Sequence, residues 1–385
     1  MTFAAFLGLG FALPFLPIFV QELGVTDSAD AAQWAGFLIG VGPLLAGLLA
    51  PFWGGRADRH GYKRVALVAL SALGLAQIVA ALARTPEHVL VSRVLSGLFG
   101  GVGPLGLAMA AGSVRRAGSA SSGASGAIGK IQAAQILAAG FGPLLGGALA
   151  SSLSIRAAFW AASFACLFAA FVVGAFYIDE PRAPREPARP AVSGSMASGA
   201  FFGSLVFVVF FVNFASRSFT PILPAQLESF GVARASLAWN TGLLISVYSI
   251  AAAASSFAFG KWASSIDPVR LISVSLGFSV VAAAAMACAT TFQAFLGVAV
   301  LYGLISGGSL TLGYTIGSRR FDEATRGASF GKLSGAALVG GAVSPALAAF
   351  VARSSLASVY WMNAIIYTVL IAVALRFLRG AKVKG

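Results

Sequence analysis

Most of this 385-residue chain lies in runs of about twenty apolar residues, a length that lets an α-helix cross a hydrocarbon layer about 30 Å thick. The expected spans are 3–23, 33–55, 65–84, 88–112, 124–150 and 155–178, then 203–227, 237–261, 269–288, 292–317, 328–352 and 357–378. Helices are the expected element because a membrane interior has no water to satisfy an open strand edge. The runs are continuous rather than alternating, which excludes a lone β-barrel. Charged residues make up 10% of the chain and hydrophobic residues 58%. A soluble protein carries about a quarter charged residues.

The runs come as one unit written twice. Pro14-Phe15-Leu16-Pro17, followed by Gly24-Val25, returns as Pro221-Ile222-Leu223-Pro224, followed by Gly231-Val232. Gly129-Lys130 and Gly142-Pro143 return as Gly331-Lys332 and Ser344-Pro345, at an offset of 202 positions where the proline segments are offset by 207. The stretch from Asp179 to Pro190 is rich in proline and alternating charge, and reads as a solvated linker. The expected fold is therefore an all-α membrane protein, with twelve transmembrane helices in two pseudo-symmetric six-helix bundles. The first bundle covers 1–178 and the second 201–385, with a cytoplasmic linker over 179–200. A duplicated membrane bundle is the physical form of a secondary transporter.

A net charge of +14 could suggest nucleic acid as a partner, but its placement argues against that. From a cytoplasmic N-terminus, Arg84, Arg156, Arg234 and Arg353 fall outside, and Arg93 and Arg217 fall within spans. Every other one of the 26 Lys and Arg lies at a cytoplasmic loop or helix end. This bias sets orientation, with both termini expected on the cytoplasmic side of a multi-pass membrane protein. Cys166 and Cys288 lie in helices of different halves and read as small core residues. The chain opens almost inside its first span with no cationic lead, so a signal peptide is not expected there.

After the second span the sequence reads Gly54-Gly55-Arg56-Ala57-Asp58-Arg59-His60-Gly61-Tyr62-Lys63-Arg64, taken as a short loop whose glycines permit a tight turn. It resembles the signature of the major facilitator superfamily, G-x-x-x-D-R-x-G-R-K, through Gly54, Asp58, Arg59, Gly61 and Lys63. The resemblance implies a charge network at a cytoplasmic gate. The second copy, Gly260-Lys261-Trp262-Ala263-Ser264, has Ser where the acid would stand. In the fourth span, Arg93 and Gly97 match the family's R-x-x-q-G, with Ser96 in place of Gln. A cation there costs at least about 2.5–3.5 kcal/mol to insert, so it is expected to face the bundle interior or water. The resemblance ties this Arg to proton coupling and the cavity. In the fifth span, Gly142, Pro143, Gly146 and Gly147 resemble the antiporter motif of drug-efflux members, with Ala138 replacing its first Gly. Pro143 kinks the helix and the glycines admit a close neighbour. The segments from Leu13 to Val25 and from Pro51 to Gly55 also resemble bacterial multidrug efflux members.

No catalytic or metal-ligand constellation stands in the sequence, so neither an enzyme nor a metal or cofactor is expected. Gly129-Lys130 and Gly331-Lys332 lack the remaining residues of a phosphate loop. All twelve carboxylates lie at span ends, in loops or in the linker. Asp58 is the best inner candidate for a proton carrier and Glu22 the best outer one, although a plain packing role is the favoured reading for Glu22. Candidate substrate-contacting residues are Phe15, Gln132, Gln135, Asn213, Arg217, Tyr248 and Tyr302, since aromatic surfaces with few polar groups suit amphipathic ligands. The resemblance implies a monomeric exporter of small hydrophobic or amphipathic compounds in the plasma (bacterial inner) membrane, driven by proton antiport through alternating access. The alternatives are an importer or facilitator of a metabolite such as a sugar on the same fold, and less favoured, a membrane receptor or embedded enzyme.

Overall fold

The computed structural model describes residues 2–100, 109, 121–178, 199–321 and 326–378. The described residues are helical. Helix α1 (Thr2–Ala12) passes through a 3-10 turn, Leu13–Phe15, into α2 (Leu16–Glu22). Then come α3 (Ser28–His60), α4 (Tyr62–Ala81), α5 (Pro86–Leu98), α6 (Ser121–Ser152) and α7 (Ile155–Phe176). In the second half, α8 (Gly199–Arg217) passes through the 3-10 turn Thr220–Ile222 into α9 (Leu223–Ser229). It is followed by α10 (Arg234–Trp262), α11 (Pro268–Cys288), α12 (Phe292–Ser306) and α13 (Ser309–Ser318). Last come α14 (Arg326–Val351) and α15 (Leu356–Val373), which ends in a π turn, Ala374–Leu378. Among the described residues nine helical segments are long and apolar enough to cross a membrane, and Phe6–Glu22 and Leu137–Ser152 are shorter apolar helices. The expected linker, 179–200, lies outside the described residues except for its last two positions, which open α8.

Local chemistry sets the helix ends. Asp27 accepts from the Asp30 amide at 2.9 Å, Ser154 from Ala157 at 3.1 Å and Thr291 from Ala294 at 3.3 Å. Each satisfies an amide that the first helical turn leaves without a partner. The duplicated proline segments fold alike. Pro14 and Pro221 each sit in a 3-10 turn that interrupts a helix. Gly24 and Gly231 then take φ of 106° and 80°. Val25 N donates to Val20 O at 3.3 Å, and Val232 N to Leu227 O at 3.1 Å, so one Schellman-type cap closes both copies.

Two segments differ from the expected pattern. The motif after the second span is not a loop: α3 continues through it to His60, and only Gly61 turns the chain. Arg56, Ala57, Arg59 and His60 tolerate a helix, whereas Gly61 at φ 92°, ψ 145° occupies backbone space that is essentially closed to other residues. The expected helix over 292–317 is broken at Gly307-Gly308. A Cβ on Gly307 would collide with Ala252. The broken turn is held by Ser255, whose hydroxyl accepts from Gly308 N at 3.0 Å, and Ser256, which donates to Gly307 O at 2.8 Å.

The chain forms two compact units. One holds Met1–Ala183 with Leu223–Ser246, and the other Pro184–Ile222 with Val247–Gly385. In the first, α4 lays Val65, Leu70 and Leu73 against Cys166, Ala169 and Val173 of α7. In the second, α8 packs along α14 and α11 along α15.

Candidate functional site

The first-loop motif is held on its α3 side by aromatic contacts. Trp53 Nε1 donates to Leu98 O at 2.6 Å, and its ring lies 5.4 Å from that of Phe99. The Arg56 guanidinium lies 5.3 Å from the Phe52 ring centre. Gly61 N donates to Ala57 O at 2.9 Å, closing the last turn. Arg59 is exposed and Lys63 half-buried. Gly54 faces open space, where an added Cβ would touch nothing within 4 Å. The Asp58 side chain lies outside the described residues, as does that of Gln132.

Arg93 is only 3% exposed. Its Nη2 donates to Gln77 Oε1 at 2.9 Å and to Ser92 Oγ at 3.1 Å, and its Nε has no partner. Cys166 lies close by on α7. The guanidinium is thus enclosed by α4, α5 and α7 and held by neutral polar groups. Its backbone approaches Gly42 of α3. One turn on, Gly97 would place a Cβ 2.8 Å from Gly42 O, so its missing side chain lets α5 meet α3. Sequence reasoning missed Gln77; a lone glutamine amid the apolar residues of α4 was the available signal.

The antiporter-like motif on α6 meets a neighbour on each side. Toward α1, a Cβ on Gly142 would lie 3.0 Å from Gly10 Cα and 3.3 Å from Leu7 O, and one on Gly146 would strike the Phe11 carbonyl. Toward the first turns of α10, a Cβ on Gly147 would lie 2.8 Å from Ala238 O, and one on Gly242 would strike the Pro143 carbonyl. All these residues belong to the first unit. The equivalent seam in the second unit joins α8 to α14. There Ser344, at the place of Gly142, donates its hydroxyl to Phe214 O, and Gly340 abuts the Phe210 carbonyl. Gly242 was not singled out from the sequence, where one more glycine in a chain with 46 carries no signal.

The remaining candidates scatter. Glu22 is exposed at the end of α2, where the charges of Arg156 and Arg234 act on its carboxylate. Arg156 Nη1 donates to Ala81 O at 2.7 Å and Arg234 Nη2 to Gln21 Oε1 at 3.3 Å. Phe15 is wholly buried and Gln135 half-buried. In the second unit, Asn213 Nδ2 donates to Ala337 O. Arg217 is exposed at the end of α8, its Cγ beside Gly341. Tyr302 is buried and its hydroxyl pairs with that of Tyr367. Its ring stacks 5.8 Å from Tyr248, which meets Phe219 edge-on at 5.2 Å. The structure therefore brings Asn213, Arg217, Tyr248 and Tyr302 into one neighbourhood. Arg93 belongs to the first unit. Tyr367 and Asn363, whose Nδ2 donates to Ser218 Oγ at 2.8 Å, join that neighbourhood without having been named from the sequence.

The family model of the Major Facilitator Superfamily matches residues 1–215 and 205–384. Among characterised relatives, the multidrug resistance protein MdtG of Proteus mirabilis is 29% identical over 95% of this chain and 90% of its own length. MdtG of Yersinia enterocolitica is 31% identical over 76% of this chain and 69% of its own. Among solved structures, a bacterial homologue of the human lysosomal transporter Spinster superposes with a TM-score of 0.76. It covers 97% of this chain and 95% of its own at 16% identity, a likeness of fold alone. With a helical backbone among the described residues, apolar spans and a duplicated proline and glycine framework, the chain belongs to the Major Facilitator Superfamily of membrane transporters, in its multidrug efflux branch.

Proposed function

We propose that this transporter exports small hydrophobic or amphipathic compounds across the bacterial inner membrane in exchange for protons. It works as a monomer by alternating access, with both termini in the cytoplasm. The observation that carries the reading is the likeness to multidrug resistance proteins over nearly the whole chain. The α6 motif supports it: a proline-bearing helix whose glycines press on α1 and on α10 makes a dry seam of backbone against backbone. The first-loop motif serves as the cytoplasmic gate, and Arg93 influences proton uptake as a cation held without an acid partner among the described residues. Asp58 and Glu22 are the proposed proton carriers.

The test is efflux from cells loaded with fluorescent amphiphiles of either charge, with and without a proton uncoupler. The reading expects export that stops on uncoupling, and that Asp58→Asn and Arg93→Ala cripple without loss of membrane insertion, Arg93→Lys keeping part of it. Export unaffected by uncoupling would instead favour a facilitator on the same fold. That second reading draws on the lack of any acid at mid-depth in the sequence.

A further inference from the structure

Three apolar segments of the second unit bring cations and aromatic rings together at one end. Phe201 and Phe202 lie in the first turn of Gly199–Ser229, Arg319 and Arg320 follow Phe292–Ser318, and Lys332 lies in the first turn of Ser329–Val351. At a rise of about 1.5 Å per residue, each stands within about one turn of a membrane boundary, at headgroup depth. The Arg320 guanidinium lies 4.7 Å from the Phe201 ring centre, and Lys332 Nζ 5.9 Å from that of Phe202. Phe202 meets Phe321 at 5.8 Å, and Phe321 meets Phe330 edge-on at 5.4 Å. Lys332 belongs to the Gly-Lys pair that both halves of the chain repeat.

Arg319 and Lys332 are exposed, and water satisfies their charges. Arg320 is different. It is half-buried, and its Nη1 is shut from solvent with no hydrogen-bond partner. Burial lowers its pKa from the usual value, which marks a cation short of water, and the Asp267 charge acts the other way. The Asp267 carboxylate already caps α11, accepting from Val269 N at 3.2 Å. A cation stripped of part of its water gains more from an anion than a hydrated one does. The guanidinium fork matches two oxygens of a phosphodiester, and Lys332 adds a second charge. Phe202 and Phe330 are half-buried, so their open faces suit the first methylenes of an acyl chain. A soluble anion would leave those rings uncovered. In the orientation proposed above, this end meets the cytoplasmic leaflet, whose anionic lipids draw cations beside the membrane.

We propose that Arg320 and Lys332, framed by Phe202 and Phe330, hold the phosphodiester of an anionic phospholipid as a specific lipid site of the second unit. The site stands apart from the efflux reading and does not depend on it.

The test is native mass spectrometry of the full chain purified in detergent. The probes are dioleoylphosphatidylglycerol, dioleoylphosphatidylcholine and sn-glycerol 3-phosphate. The first lipid bound should have a Kd about tenfold or more lower for phosphatidylglycerol than for phosphatidylcholine, as expected for hydrogen bonds to a charged partner. Arg320→Gln combined with Lys332→Gln should bring the two lipids level, and Arg320→Lys should keep part of the preference. Arg270→Gln, at an exposed cation in the first turn of α11, should keep all of it. Equal affinity for the two lipids in the unaltered protein would overturn the proposal without any variant. That is the result expected if Asp322 or Glu323 neutralises Arg320 instead. A preference that survives in the folded double variant, or falls as far in Arg270→Gln, would reduce the site to the diffuse positive field of this end. Glycerol phosphate bound as tightly as phosphatidylglycerol would mean a site for soluble phosphates, and the lipid assignment would fall.

Discussion

At the scale of single residues, the first unit holds a charge that its surroundings barely balance. Arg93 is buried, and Gln77 and Ser92 are its only side-chain partners among the described residues. A buried polar group that loses its partner costs about 1–3 kcal/mol. Gln77→Leu is therefore expected to lower stability by about that amount, read as a fall in Tm of the detergent-purified protein. An unchanged Tm would mean that water or lipid already satisfies the guanidinium. The glycines of the motifs are likewise not equivalent residue by residue. Gly61 is required by its φ of 92°, whereas Gly54 faces open space.

At the scale of elements, that difference becomes a contrast between helix seams. Gly146 sits where α6 crosses α1, and a methyl group there would meet the Phe11 carbonyl, which has no rotamer by which to retreat. Overpacking of this kind costs about 1–3 kcal/mol. Gly54→Ala in α3 meets no neighbour and relieves the entropic cost of a helical glycine, about 0.5–1 kcal/mol. Gly146→Ala is thus expected to lower Tm and Gly54→Ala to hold or raise it, and the reverse order would contradict the seam. The first-loop motif was legible as a family signature, but its backbone was not. A Gly-Gly pair reads as a turn in sequence, yet α3 carries it as helix because nothing nearby forces those residues out of the helical region.

At the scale of the whole molecule, orientation follows from charge. The proposed orientation, with both termini cytoplasmic, would put the α10–α11 connection inside and the α11–α12 connection outside. In a Cys288→Ser background, a cysteine at Ser264 should react with an impermeant thiol reagent only from the cytoplasm, and one at Thr290 only from outside. Both positions are exposed. Labelling on the opposite sides would invert the topology. The sequence alone determined the helical class, the duplicated proline and glycine framework and the family. Each rests on a local property, such as run length, a fixed φ or a missing side chain, that survives any packing. Only the tertiary structure decided that Gln77 holds Arg93, that Gly242 meets Pro143, that Tyr302 spends its hydroxyl on Tyr367 and that Arg217 lies beside Gly341. Those pairings join residues distant in the chain, and in a sequence where nearly every helix is apolar all round, periodicity does not say which face meets which.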